Sequence, residues 1–174
     1  MTEWHRTFDG LAWRSHAQLP LRPPYDSQGI LRNPANRVLV TGSRTWPFEQ
    51  HVQDALGFYW ELGGPLTVVH GDALNGADRM ARRWCDRMNG GELGPMVEHE
   101  PHPADWSQGK GAGFDRNGRM VNLGADVCLA FADVCRKPNC RRKPHPSHGV
   151  WDCANRAKAA GIEVVRYQTW EPPR

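Results

Sequence analysis

Arg37-Val38-Leu39-Val40-Thr41, closing on Gly42, and Leu66-Thr67-Val68-Val69-His70, closing on Gly71, are the two runs that decide the fold. Each is too short for a helix, rich in β-branched residues and apolar on both faces. Such a run reads as a strand buried inside a parallel sheet. Between them Val52, Ala55, Leu56, Tyr59 and Leu62 recur at helical spacing, and Gly63-Gly64-Pro65 stops that helix. A strand, a helix and a second buried strand make one right-handed crossover unit.

The same alternation continues downstream. Met80, Ala81, Trp84, Cys85 and Met88 mark a second helix, closed by Gly90-Gly91, and Pro95 to His99 reads as a weaker third strand. A third helix is expected over Asp115 to Leu123, a fourth strand over Asp126 to Phe131, a helix over Val150 to Ala160 and a fifth strand over Ile162 to Tyr167. The expected class is therefore α/β, a Rossmann-like three-layer sandwich around a mainly parallel five-stranded sheet. It spans residues 37–170. Residues 1–36 are interrupted by Pro20, Pro23, Pro24 and Pro34 and read as an irregular arm, with Trp4, Phe8, Leu11 and Trp13 available to pack.

The chain has 174 residues, 22 basic against 19 acidic, for a net +3. So even a balance points away from a general nucleic-acid or membrane-surface binder. No apolar run approaches the roughly 18 residues a membrane span needs. The start, MTEWHRTFDGLAWRSH, has neither the basic beginning nor the apolar stretch of a secretion signal, so a cytoplasmic protein is expected. The five cysteines are then expected to bind metal or to pack rather than to form disulfides.

In a parallel sheet of this type, ligands bind beyond the carboxyl ends of the strands. Gly42-Ser43-Arg44-Thr45-Trp46 follows the first strand and offers a tight turn, a hydroxyl and a guanidinium. After the second strand come Gly71, Asp72, Gly76 and Asp78, with Asp78 entering a helix and Asp72 placed to receive a ribose hydroxyl. Asp78 reads equally as a first-turn acid favourable to the helix dipole. His70, alone at a strand end, reads as structural. Gly109-Lys110-Gly111-Ala112-Gly113, with Arg116-Asn117 just beyond, forms a third loop suited to an anion or a base. One such loop is an ordinary turn; three at successive strand ends suggest a phosphate-bearing ligand.

These residues resemble the YspA-like branch of the SLOG superfamily. The likeness is carried by Thr41-Gly42-Ser43-Arg44, His70-Gly71-Asp72-Ala73, Gly76-Ala77-Asp78, Ala104-Asp105-Trp106, the Gly109–Gly113 loop, Arg116-Asn117 with Met120, and Ser147-His148-Gly149-Val150-Trp151-Asp152. It implies a Rossmann-like domain that recognises nucleotides or nucleotide-derived molecules, often in conflict between phages and bacteria. By the same resemblance, Gly42, Ser43, Arg44 and the Gly149 turn hold phosphate, while Arg116 and Asn117 line the pocket. The related phosphoribohydrolases carry Gly-Gly-x-Gly-Thr before a catalytic glutamate. Here Ser147-His148 precede Gly149, Val150 replaces the threonine and Cys153 the glutamate, with Asp152 one position earlier. One helical position turns a side chain by about 100°, so hydrolysis of that type would need Asp152 or Asp72 as substitute.

The segment from Asp133 to His148 carries Cys135, Cys140, His145 and His148. Two thiolates and two imidazoles are a sufficient tetrahedral set for a structural zinc, which would fix the turn presenting Ser147, His148 and Gly149. The alternative is a basic loop with incidental cysteines. Arg136, Lys137, Arg141, Arg142 and Lys143 make it cationic, and no aromatic residue interleaves with them for base stacking.

Three functions follow in order: binding or sequestering a nucleotide-like ligand, hydrolysing one, and binding nucleic acid through the basic loop. No organic cofactor is expected. A homodimer through Trp60 or Trp84 is compatible with the pattern, and core packing explains those tryptophans equally well.

Overall fold

The computed structural model describes residues 37–169 apart from Gly64, Gly94, Arg142 and Lys143, together with two short strands nearer the N-terminus. Those strands, β1 (Thr7–Phe8) and β2 (Leu11–Ala12), pair antiparallel. The rest of the first 36 residues, and the packing expected of Trp4, Phe8, Leu11 and Trp13, lie outside the described residues.

The main sheet holds β3 (Arg37–Gly42), β4 (Thr67–His70), β5 (Glu98–Pro101), β6 (Val127–Ala132) and β7 (Glu163–Gln168). Their order is β5-β4-β3-β6-β7, and every pairing is parallel. This is the expected α/β, Rossmann-like arrangement. Alternate side chains serve opposite layers. Val38, Val40, Val68, Leu129 and Phe131 join Val52, Leu56 and Ala81 of helices α1 (Glu49–Glu61) and α2 (Ala77–Asn89). Leu39, Val69, Cys128 and Ala130 join Met120, Val150 and Ala154 of α3 (Ala112–Asn122) and α4 (His148–Ala159) on the other face. At about 1.5–3 kcal/mol for each large apolar side chain fully buried, these two clusters supply the driving force for folding. Trp84 packs inside the first cluster and Trp60 against it.

Most elements fall within two residues of the sequence pattern, and two depart by three. The third strand begins at Glu98 rather than Pro95, because pairing of Thr67 with Glu98 sets its register. As an edge strand of half-buried and exposed residues it carries no apolar run to announce it. Helix α3 begins at Ala112, three residues earlier than expected, where glycines lower helix propensity but Gly113 fits closely beneath the ring of Trp106. No helix among the described residues is long and apolar enough to cross a membrane.

The chain reverses direction across the sheet between β3 and β6, the neighbours from which it winds outward both ways. A crevice opens there by construction, since the connections leave these strands toward opposite faces.

Candidate functional site

The crevice holds a cavity of about 320 Å³, bordered by Gly42, Ser43, Arg44, Asp78, Arg116 and Asn117, with Lys110, Ser147 and Gly149 around them. A neighbouring cleft of about 480 Å³ is lined by Gly71, Asp72, Leu74 and Pro103. The two share Arg44, Ala73, Trp106 and Arg116. Arg44 lies over the Trp106 ring, 5.2 Å from its centroid, on the boundary between them.

The β3 loop is held in place by small contacts. Ser43, 2% exposed, takes the Asp133 amide on its hydroxyl at 2.8 Å and pairs with the Ser147 hydroxyl at 2.8 Å. Ser43 thus clasps the loops after β3 and β6 as well as bordering the cavity. Gly76, at φ +70, lies beneath it; a Cβ there would run into the Ser43 carbonyl and the Arg44 backbone. A side chain at Gly71 would displace the Arg116 guanidinium, which occupies that space.

Three helices begin at the cavity: α2 after Gly76, α3 after Gly111 and α4 after Ser147, and none has a side-chain cap. Their leading amides carry partial positive charge and suit an anion. Arg116 adds a full charge. Its Nε–H donates to Asn117 Oδ1 at 3.0 Å, while its buried Nη1 makes no hydrogen bond among the described residues. Nη1 stands 3.6 Å from the Asp78 carboxylate. Asp78 is 4% exposed, and burial pushes its pKa up to about 6 against the opposing pull of Arg116 and the Ala73 amide. The floor of the cavity therefore combines a guanidinium nitrogen that is ion-paired but not hydrogen-bonded among the described residues with a carboxyl group whose pKa is raised to about 6.

Both candidate catalytic acids are ion-paired with arginines. Asp152 accepts from Asn117 Nδ2 at 3.1 Å and from Arg156 Nε at 2.8 Å, and borders neither cavity. It orients Asn117, whose amide also donates to the Gly149 carbonyl at 3.1 Å. Asp72 lines the second cleft, in the left-handed region at φ 51, with its carboxylate 2.6 Å from Arg82. Cys153 is fully buried in the core behind the cavity. Trp46, grouped with the β3 loop by sequence, turns into the core against Phe131 and donates its Nε1–H to the Phe48 carbonyl at 2.9 Å.

His70 is wholly buried at the end of β4. Its Nδ1 accepts the Asp72 amide at 3.0 Å, so in the neutral ring Nε2 carries the proton and donates to His99 Nε2 at 2.6 Å. Burial, then the neighbouring His99, pushes its pKa down to about 3.

Asp133 is the residue that sequence reading passed over. Burial pushes its pKa upward, but hydrogen bonds from Thr45, Thr169, Arg136 and the Val134 amide outweigh it and hold the carboxyl below its ordinary range. One acid thereby fixes both loops of the crevice. An acid directly after the wholly buried strand β6 was the available signal. Trp106, Phe114, Val134 and Arg136 also border the cavity.

Beside this wall lie Cys135, Cys140, His145 and His148, whose ligand atoms are all within 4.8 Å of one another, a set able to hold a metal. His145 Nδ1 donates to the Pro146 carbonyl at 2.5 Å, leaving the Nε2 lone pair to accept from the Cys140 thiol at 3.0 Å. An imidazole N–H fixed on a carbonyl is the usual support of a metal-binding histidine. His148 faces this cluster rather than the cavity. Of the basic residues in this loop, Arg142 and Lys143 lie outside the described residues.

Comparison with known proteins agrees with this geometry. The sequence profile of the YspA, cpYpsA-related SLOG family matches residues 36–109, from the start of β3 through the Trp106 turn. The chain is also 44% identical over 133 residues to the Gene 61 protein of Mycobacterium phage D29, covering 75% of this chain and 95% of that protein. No solved structure matches. With its switch-point crevice, its glycine-closed β3 and β4 loops and these relatives, the chain belongs to the YspA, cpYpsA-related SLOG family.

Proposed function

We propose that this protein binds a nucleotide or nucleotide-derived molecule, with its phosphate in the crevice between β3 and β6. One observation carries the reading. Three helix N-termini without side-chain caps converge where a buried Arg116 Nη1 lacks a hydrogen-bond partner among the described residues. A phosphate oxygen would satisfy both. Arg44 and Lys110 stand at the same wall. Trp106, 54% exposed, and Phe114, 40% exposed, offer aromatic surface for a base.

Binding without turnover is favoured over hydrolysis because Asp152 and Asp72 are both paired with arginines, and a buried thiol stands where related hydrolases carry their glutamate. The Cys135, Cys140, His145 and His148 set would take zinc in a structural role, all four positions being filled by protein. Five cysteines without a disulfide suit a reducing, cytoplasmic setting.

The test is titration calorimetry with nucleoside mono-, di- and triphosphates and pyrophosphate, with product analysis by chromatography. At least one should bind, and Arg116→Gln should weaken it about 10- to 100-fold, the value of a hydrogen bond to a charged group. No binding below about 1 mM (roughly −4 kcal/mol) across the panel would sink the reading. Release of free base would move the assignment to hydrolysis.

A further inference from the structure

The metal-binding set and the cavity wall alternate along the same backbone. Cys135 lies between Val134 and Arg136, and His148 lies between Ser147 and Gly149; all four neighbours border the cavity. The two strands of the loop are tied to each other and to the sheet. The Cys135 amide donates to the His145 carbonyl at 2.8 Å, and the Ser147 amide to the Asp133 carbonyl at 3.0 Å, around a bridge between Val134 and Pro146. Ser43 then joins both through Asp133 and Ser147.

From Arg136 to His145 the chain offers no aliphatic side chain except proline, and it carries five lysines and arginines, Arg136 included. Such a loop has little of its own with which to resist that charge. Tetrahedral zinc, at about 2.3 Å to sulfur and 2.0 Å to nitrogen, draws its ligand atoms to separations of about 3.3–3.8 Å. The set found here needs a contraction of at most about 1.5 Å to reach that geometry.

We infer that zinc held by Cys135, Cys140, His145 and His148 builds the ligand-binding wall of the cavity, so that metal occupancy and ligand affinity are coupled. Metal binding fixes Val134, Arg136, Ser147 and the first turn of α4 in the positions that face the ligand. By linkage, a ligand against that wall must retain the metal as strongly as the metal favours the ligand. The second half of this statement rests on the nucleotide reading; the first does not.

The experiment uses the full chain, loaded with one equivalent of zinc or stripped by chelator, and reads hydrogen exchange by mass spectrometry. Stripping should speed exchange beyond the loop, at Ser43–Thr45 and Gly149–Trp151, while Thr67–His70 in β4 stays unchanged. With AMP and pyrophosphate as probes, affinity should fall about tenfold, within the usual range of allosteric coupling. Saturating probe should slow zinc transfer to a chromogenic chelator by a similar factor. Cys140→Ser should reproduce the stripped pattern without chelator. Failure to take up zinc, or faster exchange confined to residues 134–148, overturns the inference. Probes that bind loaded and stripped protein equally overturn it as well. Probes that bind neither form, with exchange spreading as expected, count against the nucleotide reading and support the zinc-built wall.

Discussion

Asp78→Asn should make this protein more stable at neutral pH, and the gain should vanish in acid. The Asp78 carboxyl is buried, and its pKa rises from 3.8 to about 6 on folding. A raised carboxylate holds its proton more tightly in the native state than in the unfolded chain. Below pH 3.8 both states are protonated and the group contributes nothing. As pH rises toward 6 the unfolded chain ionises first and stability falls; above 6 the loss is complete. At about 1.4 kcal/mol per pKa unit, ionised Asp78 costs roughly 3 kcal/mol at pH 7.5. Attraction to Arg116 is already included, since it is one of the influences that set that pKa.

Asparagine keeps the shape, accepts the Ala73 amide as Asp78 does, and carries no charge. The variant should therefore gain about 3 kcal/mol at pH 7.5, roughly 6–12 °C in Tm for a chain of this size. At pH 4 the gain should be near zero. Urea unfolding at both pH values, followed by tryptophan fluorescence, measures it. Equal stability of the two proteins at pH 7.5, or an equal gain at both pH values, would refute the reasoning.

Two further outcomes test the surrounding frame. Gly76→Ala should destabilise by about 2 kcal/mol or more in urea unfolding, from positive φ strain plus collision with the Ser43 carbonyl; a loss under about 0.5 kcal/mol would show that the loop yields freely. Glu100, held down to about 2 chiefly by its hydrogen bonds from Arg37, contributes stability above pH 4.5 that is lost as pH falls toward 2. Glu100→Gln should therefore cost no more than about 1 kcal/mol at pH 7, because the pair is partly exposed, and nothing at pH 2 in a thermal scan.

The buried strands were legible because nothing except a parallel sheet explains Val38 to Val40 or Val127 to Phe131, every one at most 2% exposed. Strand β5 was not, since its place comes from pairing with β4 rather than from its own side chains. In the site, glycine-closed turns announced Ser43, Arg44, Gly76 and Asp78, whose backbone geometry is local. Trp46 and Trp106 could not be sorted by sequence. Each follows a strand-end loop, and only packing against Phe131 in one case, and beside Arg44 in the other, separates core from cavity. The surroundings of Asp152 were hidden for a similar reason: its partner Arg156 sits one helical turn away and its second partner, Asn117, on another helix. The gathering of two cysteines and two histidines was visible as composition, whereas their alternation with the cavity wall needed the loop to be folded.

Placing the crevice between β3 and β6 also sets the order in which it can form. Val38 pairs with Val127, so the ladder closes a loop of nearly ninety residues. Contacts that distant in sequence form slowly and late. The β3–α1–β4–α2 half is contiguous in sequence, yet it holds only one lip of the site. Arg44 and Asp78 must wait for Asp133, Ser147 and the start of α4. A nascent or truncated chain would thus present the signature glycines without the completed crevice, and on the proposed reading ligand binding would report that the whole domain has folded.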